Sequence, residues 1–140
     1  MKLRLAILVA GVTLAAGAGL PLLAHHSFAA QYDASKAIRL TGFLAKIEWT
    51  NPHSYIYIDV KEDNGNVAKW SCEAASLGAL SRQGFKRGDV KLGDTIIVDG
   101  YRAKDGSRLM AALRVSLPNG KILIGAGSAD GGPGSTGQNP

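Results

Sequence analysis

At 140 residues, 46% of them apolar and 19% charged, the chain has the material for one core and too little length for several. Its 16 Lys and Arg against 11 Asp and Glu leave a formal charge of +5, mild enough to single out no nucleic acid or acidic partner. Cys72 is the lone cysteine, so no intramolecular disulfide can form and the fold must rest on burial.

The first element is a leader. Lys2 and Arg4 form a basic start, Leu5 to Ala16 is uncharged and apolar, and Pro21-Leu22-Leu23-Ala24 supplies a helix breaker and a small residue at the end. The apolar run is too short, and too rich in glycine after Val12, for a membrane-spanning helix. Ala16-Gly17-Ala18 and Ser27-Phe28-Ala29 also satisfy the small-x-small rule, the first leaving Gly19 to Ala24 in place and the second removing both early histidines. Pro21 just before Ala24 favours cleavage there. The reading is a signal peptide over 1–24 and a periplasmic or secreted product that is not an integral membrane protein. Its charge would be about +3 once Lys2 and Arg4 are gone.

Residues 25–36 show no period and read as an extended amino-terminal arm. Ala37 to Trp49 reads as a long strand with Ile38, Leu40 and Leu44 on one parity and Phe43, Ile47 and Trp49 on the other, switching near Gly42 at a bulge or bend. Asn51-Pro52-His53 is a turn. Ser54 to Val60 alternates cleanly, Asp63-Asn64-Gly65-Asn66 is a hairpin turn, and Val67 to Ala74 returns with Ala68, Trp70 and Cys72 on one face and Lys69, Ser71 and Glu73 on the other.

A short helix follows, capped by Ser76, presenting Leu77 and Leu80 to the core and ended by Gly84. Strands are expected over Thr95 to Tyr101 and Leu109 to Leu117, the latter alternating throughout, with a short apolar end at Ile122 to Ile124. Residues 125–140 are Gly, Ser, Asp, Asn and Pro with no apolar period, which reads as a disordered tail. The resulting expectation is all-β: a small five-stranded OB-like barrel over 37–124 with one short helix, a small open β-sandwich being the competing arrangement.

Chemistry enters through the histidines. If His25 is the mature terminus, its amine and Nδ1 can chelate one metal ion, with His26 and His53 as further ligands and Asp33 or Glu48 as oxygen donors. Nitrogen donors of this kind suit Cu(II), Ni(II) or Zn(II), with Cu(II) first in the general affinity order. The bland alternative is a flexible polar start and an ordinary loop histidine. Cys72 can serve as a soft Cu(I) ligand, though its place beside Trp70 favours a small buried hydrophobe. Trp49, Tyr55, Tyr57, Trp70 and Tyr101 can offer a stacking platform, or can serve as core and cross-strand partners.

Arg82, Lys86, Arg87 and Lys91 read as a solvated face, and export removes most nucleic-acid partners. No nucleophile elbow, phosphate loop, zinc-protease motif or two-cysteine redox pair appears, so no enzyme activity is expected.

The run His25-His26-Ser27-Phe28, followed by Gln31-Tyr32-Asp33, Leu40-Thr41-Gly42 and Glu48-Trp49-Thr50-Asn51-Pro52-His53, resembles a family of small exported bacterial proteins known only as domain of unknown function 6152. Gly84-Phe85, Lys91-Leu92-Gly93-Asp94 and Asp105-Gly106-Ser107 continue the resemblance. It implies a mature start directly after the leader and carries no activity, ligand or site residue with it. The expectation is therefore an exported β-barrel binding module holding a divalent metal, copper first, through His25, His26 and His53. The alternative is an interaction or scaffold domain that docks on a cell-envelope protein and has no metal role. A mononuclear copper oxidase built on the same terminus is a weaker third reading.

Overall fold

The computed structural model of the chain describes residues 28–125, so the expected leader, His25, His26 and all but the first residue of the expected tail lie outside the described residues. The elements are α1 (Phe28–Gln31), β1 (Tyr32–Glu48), β2 (Ser54–Lys61), β3 (Val67–Ala74), α2 (Leu77–Arg82), a 3-10 turn at Arg87–Asp89, β4 (Thr95–Ala103), β5 (Leu109–Ser116) and β6 (Ile122–Ile124). The protein is all-β, and among the described residues no helix is long and apolar enough to cross a membrane.

The sheet order is β3-β2-β1-β4-β5-β6, all neighbours antiparallel. β3 also pairs in parallel with β5, Ser71 to Glu73 against Leu109 to Ala111. The pairings therefore run in a circuit from β1 through β2, β3, β5 and β4 back to β1. The length of β1 makes this circuit: Phe43 stands opposite Asp59 on one side and Thr95 on the other. A Cβ at Gly42 would lie 2.9 Å from the Asp59 carbonyl oxygen, so only glycine lets the two backbones approach this closely.

The parity switch in β1 is not at Gly42. Leu44 faces Ile58 and Lys46 faces Tyr57, so Ala45 is the extra residue of a bulge. Leu44 is consequently 3% exposed and Phe43 54%, and Phe43 does not share a face with Ile47 and Trp49, which pack on the core. A second bulge overturns the expected alternation of β5. Asp99 faces Arg114 and Gly100 faces Ala112, leaving Leu113 over. Met110 and Ala112 thus join Val115 and Leu117 in the core, while Leu109 and Ala111 face the other way.

The local signals hold elsewhere. Gly65 takes a φ of +85° in the β2–β3 turn, where Asn64 Oδ1 accepts from the Asn66 N–H at 2.8 Å. Ser76 Oγ accepts from the Ala79 N–H at 3.2 Å at the start of α2, and Leu80 is buried one turn on. The core inside the circuit holds Ile58, Leu80, Ile96, Val98, Met110, Val115 and Leu123. Each large side chain buried there contributes about 1.5–3 kcal/mol before the cost of ordering.

The described part of the expected arm is built into the fold. Phe28–Gln31 form a helical turn and Tyr32 already pairs with Ala103 of β4, before the pairing resumes at Ala37 with Tyr101. Phe28 and Tyr32 are buried in a second cluster with Ala103 and Ala111, packed against Tyr101 and Leu109. Their rings lie 5.5 Å apart, and Phe28 meets Tyr101 edge-on at 5.6 Å. Lys104 closes the segment, its N–H donating to the Gln31 carbonyl at 3.0 Å and its Nζ to the Ala29 carbonyl at 2.5 Å. The physical reason is the second bulge, which turns an apolar patch of β5 outward and leaves it to be covered.

Candidate functional site

Glu73 lies on the outward parity of β3, where alternation assigns it to solvent, yet it is only 7% exposed. Its backbone is flanked by Tyr55 of β2 and Ala111 of β5, and Tyr32 reaches over it. A carboxylate withdrawn from water needs donors. Two supply them: the Tyr32 hydroxyl donates to Oε2 and the His53 Nδ1 to Oε1. A carboxylate only accepts, so Nδ1 opposite it carries the proton, and the lone pair of a neutral His53 ring sits at Nε2.

The loop that carries His53 is itself held. The Thr50 hydroxyl donates to the His53 carbonyl, and the Ser54 N–H reaches the Ala75 carbonyl at 3.4 Å. The His53 side chain is 15% exposed, so the ring is sheltered. Burial and the bond to Glu73 together push the Tyr32 hydroxyl far above its ordinary range, keeping it a proton donor. Burial, helped by the charge of Glu73, also raises Tyr55.

The other candidate residues are placed elsewhere. Asp33 turns to Ser35, whose N–H and hydroxyl donate to Oδ1 at 3.0 and 2.6 Å, and these bonds hold its carboxyl below the usual range. Glu48 accepts from Lys46 and from the Tyr57 hydroxyl at 2.8 Å. The carboxylate at His53 is thus Glu73, not either of the expected oxygen donors. Cys72 is fully buried on the inner face, and desolvation pushes its thiol up to about 12, which disfavours the thiolate that a metal ligand requires.

The aromatics form no common platform. Trp70 is in the core with the Arg102 guanidinium over its ring at 5.2 Å, Trp49 packs on Phe85 at 5.4 Å, and Tyr101 packs on Phe28. His25 and His26 lie outside the described residues. Among the described residues, no group of three or more His, Cys, Asp or Glu could hold a metal ion.

Only the loop histidine of this constellation was legible in the sequence. Glu73 and Tyr32 were missed because the period of β3 marks Glu73 as solvated, and nothing local shows that a segment forty residues upstream covers it. A family model described as a family of unknown function (DUF6152) matches residues 13–112. No curated protein matches the chain.

Proposed function

Since the chain belongs to the family of unknown function DUF6152, no activity comes with its membership, and we propose from its own geometry that it is an exported binding module for one divalent metal ion, copper first. The closed circuit of strands, with α2 between β3 and β4, supports reading the domain as a small five-stranded OB-like barrel with β6 appended. The ligands are the amine and imidazole of His25 at the mature terminus, His26 and His53. The module carries no catalytic step, and its leader directs it to the periplasm or beyond.

One observation carries this reading: His53 donates Nδ1–H to a buried carboxylate. Metal-ligating histidines are held in this way, because the carboxylate fixes the tautomer and ring orientation and makes the other nitrogen more basic. An ordinary solvated loop histidine has no need of a buried acid behind it. His25 and His26, which precede Phe28 in the chain, would supply the remaining nitrogen donors.

The test is a Cu(II) titration, by calorimetry and electron paramagnetic resonance, of protein whose first residue is His25. One-to-one, nitrogen-rich binding that is lost in His53→Ala and weakened by a leading Met is expected. Weak binding that ignores His53 overturns the proposal.

A second reading is favoured by the exposed run Ala34 to Lys36, where β1 has left β4. This run could dock on an envelope protein, although Phe28 and Tyr32 are already buried on the chain's own sheet. Partner capture that persists with chelator and in His25→Ala would decide for it.

A further inference from the structure

We propose that the end of the domain carrying α2 and the 3-10 turn, with the outer face of β1, β4, β5 and β6 beside it, is a seat for the surface of an anionic phospholipid bilayer. The proposal is independent of the metal reading.

The charge comes from the connection between β3 and β4. From Leu77 to Asp94 it carries Arg82, Lys86, Arg87 and Lys91 against Asp89 and Asp94. Both carboxylates are already engaged. Asp89 accepts from the Lys86 backbone N–H at 2.8 Å and from Lys121 Nζ at 2.6 Å, and Asp94 accepts from the Lys91 N–H at 2.8 Å. The four cations are exposed, and none of them forms an ion pair among the described residues. Arg87 lies over the Trp49 ring at 5.6 Å, which holds one of these charges in place. Positive charge whose local acids are engaged is balanced from outside, by counterions or by an anionic surface.

Apolar side chains frame this charge on both flanks. On one, the Gly93 N–H donates to the Leu44 carbonyl at 2.8 Å and the Leu44 N–H to the Asp94 carbonyl at 2.9 Å, fastening the turn that bears Leu92 to β1 next to Phe43. Leu92 is 73% exposed and Phe43 54%. On the other, Gln83 bonds the backbone of Ile124 and Lys121 Nζ donates to the Gly84 carbonyl at 2.8 Å, tying the end of α2 to β6 with its exposed Ile122 and Ile124. The registers place these residues on one sheet face: Phe43 stands opposite Thr95, and Ile122 opposite Ser116, itself opposite Ile97. Arg114, opposite Ile124, adds an exposed cation to that face. Of the five large apolar side chains left exposed among the described residues, only Val67 lies away from this region.

The pattern decides which anionic partner fits. The apolar residues stand singly between Thr95, Ser116 and the basic side chains, unlike the contiguous apolar core of a protein interface. A soluble polyanion would be met by charge alone and gives Leu92 and Ile122 no role. A bilayer uses both features: single apolar side chains enter the boundary between headgroups and acyl chains, while lysine and arginine stems reach the phosphates. The apolar cavity beneath this end, lined in part by Trp49, Phe85 and Leu117, measures about 10 Å³, so no acyl chain enters the barrel and the contact stays at the surface.

The experiment is cosedimentation with vesicles of equal parts phosphatidylglycerol and phosphatidylcholine. Protein beginning at His25 is used, because the apolar run Leu5 to Ala16 would enter lipid by itself and mask the face. Binding at low salt is expected, and its loss on pure phosphatidylcholine and at high salt. Lys86→Gln combined with Lys91→Gln should weaken it about 30-fold, or about 5-fold for each charge removed. Leu92→Ser should weaken it about 10-fold. None of these side chains is buried, and an unchanged urea midpoint checks that each variant is folded. A lipid spin-labelled at the headgroup should broaden the methyl signals of Leu92 and Ile122 and leave those of Val67 sharp.

No binding to the phosphatidylglycerol vesicles at low salt, or binding that ignores the lysine variants, overturns the proposal. Equal broadening of Val67 and Leu92 does the same, since the face would then have no special role. Retention on polyglutamate as strong as on vesicles, and indifferent to Leu92→Ser, would assign the face to an acidic macromolecule and overturn the lipid assignment.

Discussion

Tyr32 and His53 share one acceptor: the hydroxyl of the first and the Nδ1 of the second occupy the two oxygens of Glu73, a carboxylate almost withdrawn from water. Neither donor is near Glu73 in the chain, so three elements depend on one side chain. Glu73→Ala strands a buried hydroxyl and a sheltered ring N–H, each costing about 1–3 kcal/mol. A loss of about 3 kcal/mol in unfolding free energy is expected, read from urea denaturation. A loss under 1 kcal/mol would mean that water replaces the carboxylate and that the joint contributes little.

Cys72 provides the clearest pH dependence. Burial holds the folded thiol up to about 12 against an ordinary 9.0. A raised acid contributes stability that is fully present below pH 9 and is lost as pH rises toward 12, because the unfolded chain ionises first. Stability should fall by up to about 1.4 kcal/mol per pH unit in that window, and by visibly less in Cys72→Ala. A folded protein unreactive to iodoacetamide at pH 8, and reactive in denaturant, is the companion result. Equal alkaline slopes for the two proteins would refute the assignment.

The edge of the sheet is closed by a side chain. Gln83, just after α2, accepts from the Ile124 N–H at 2.7 Å and donates to its carbonyl at 3.1 Å, as a neighbouring strand would. β6 carries Ile122 and Ile124 exposed, so its unpaired edge would invite a second chain. Gln83→Ala is expected to cost about 1 kcal/mol and to raise self-association in sedimentation. A variant that stays monomeric at high concentration would show that other features protect this edge.

Much of the architecture was legible because its causes are local. Alternation in Ser54 to Val60 and Val67 to Ala74, the cap at Ser76, and glycine at 65 and 84 each act within a few residues, and the structure keeps all of them. The bulge in β1 was legible as a parity switch but lies at Ala45 and not at Gly42, and the bulge at Leu113 was not legible. Each shows only in how one strand pairs with its neighbour, and a chain read alone shows only its own period. Gly100 marks such a constraint: a Cβ there would lie 1.9 Å from the Ala111 carbonyl oxygen, a demand imposed by a residue on the adjacent strand.

The sequence by itself determined the all-β class, the hairpins, the short capped helix and His53 as a histidine held in a turn, since periodicity and backbone preference act between neighbours in the chain. Tertiary structure alone decided that Phe28 and Tyr32 would cover the outer face and that Glu73 would be buried beneath Tyr32 and joined to His53. Alternation says which face a residue occupies, whereas burial depends on what other chain segments lie against that face. Here that covering segment is the turn at Phe28–Gln31 with Tyr32, brought there by the apolar patch that a bulge in β5 turns outward.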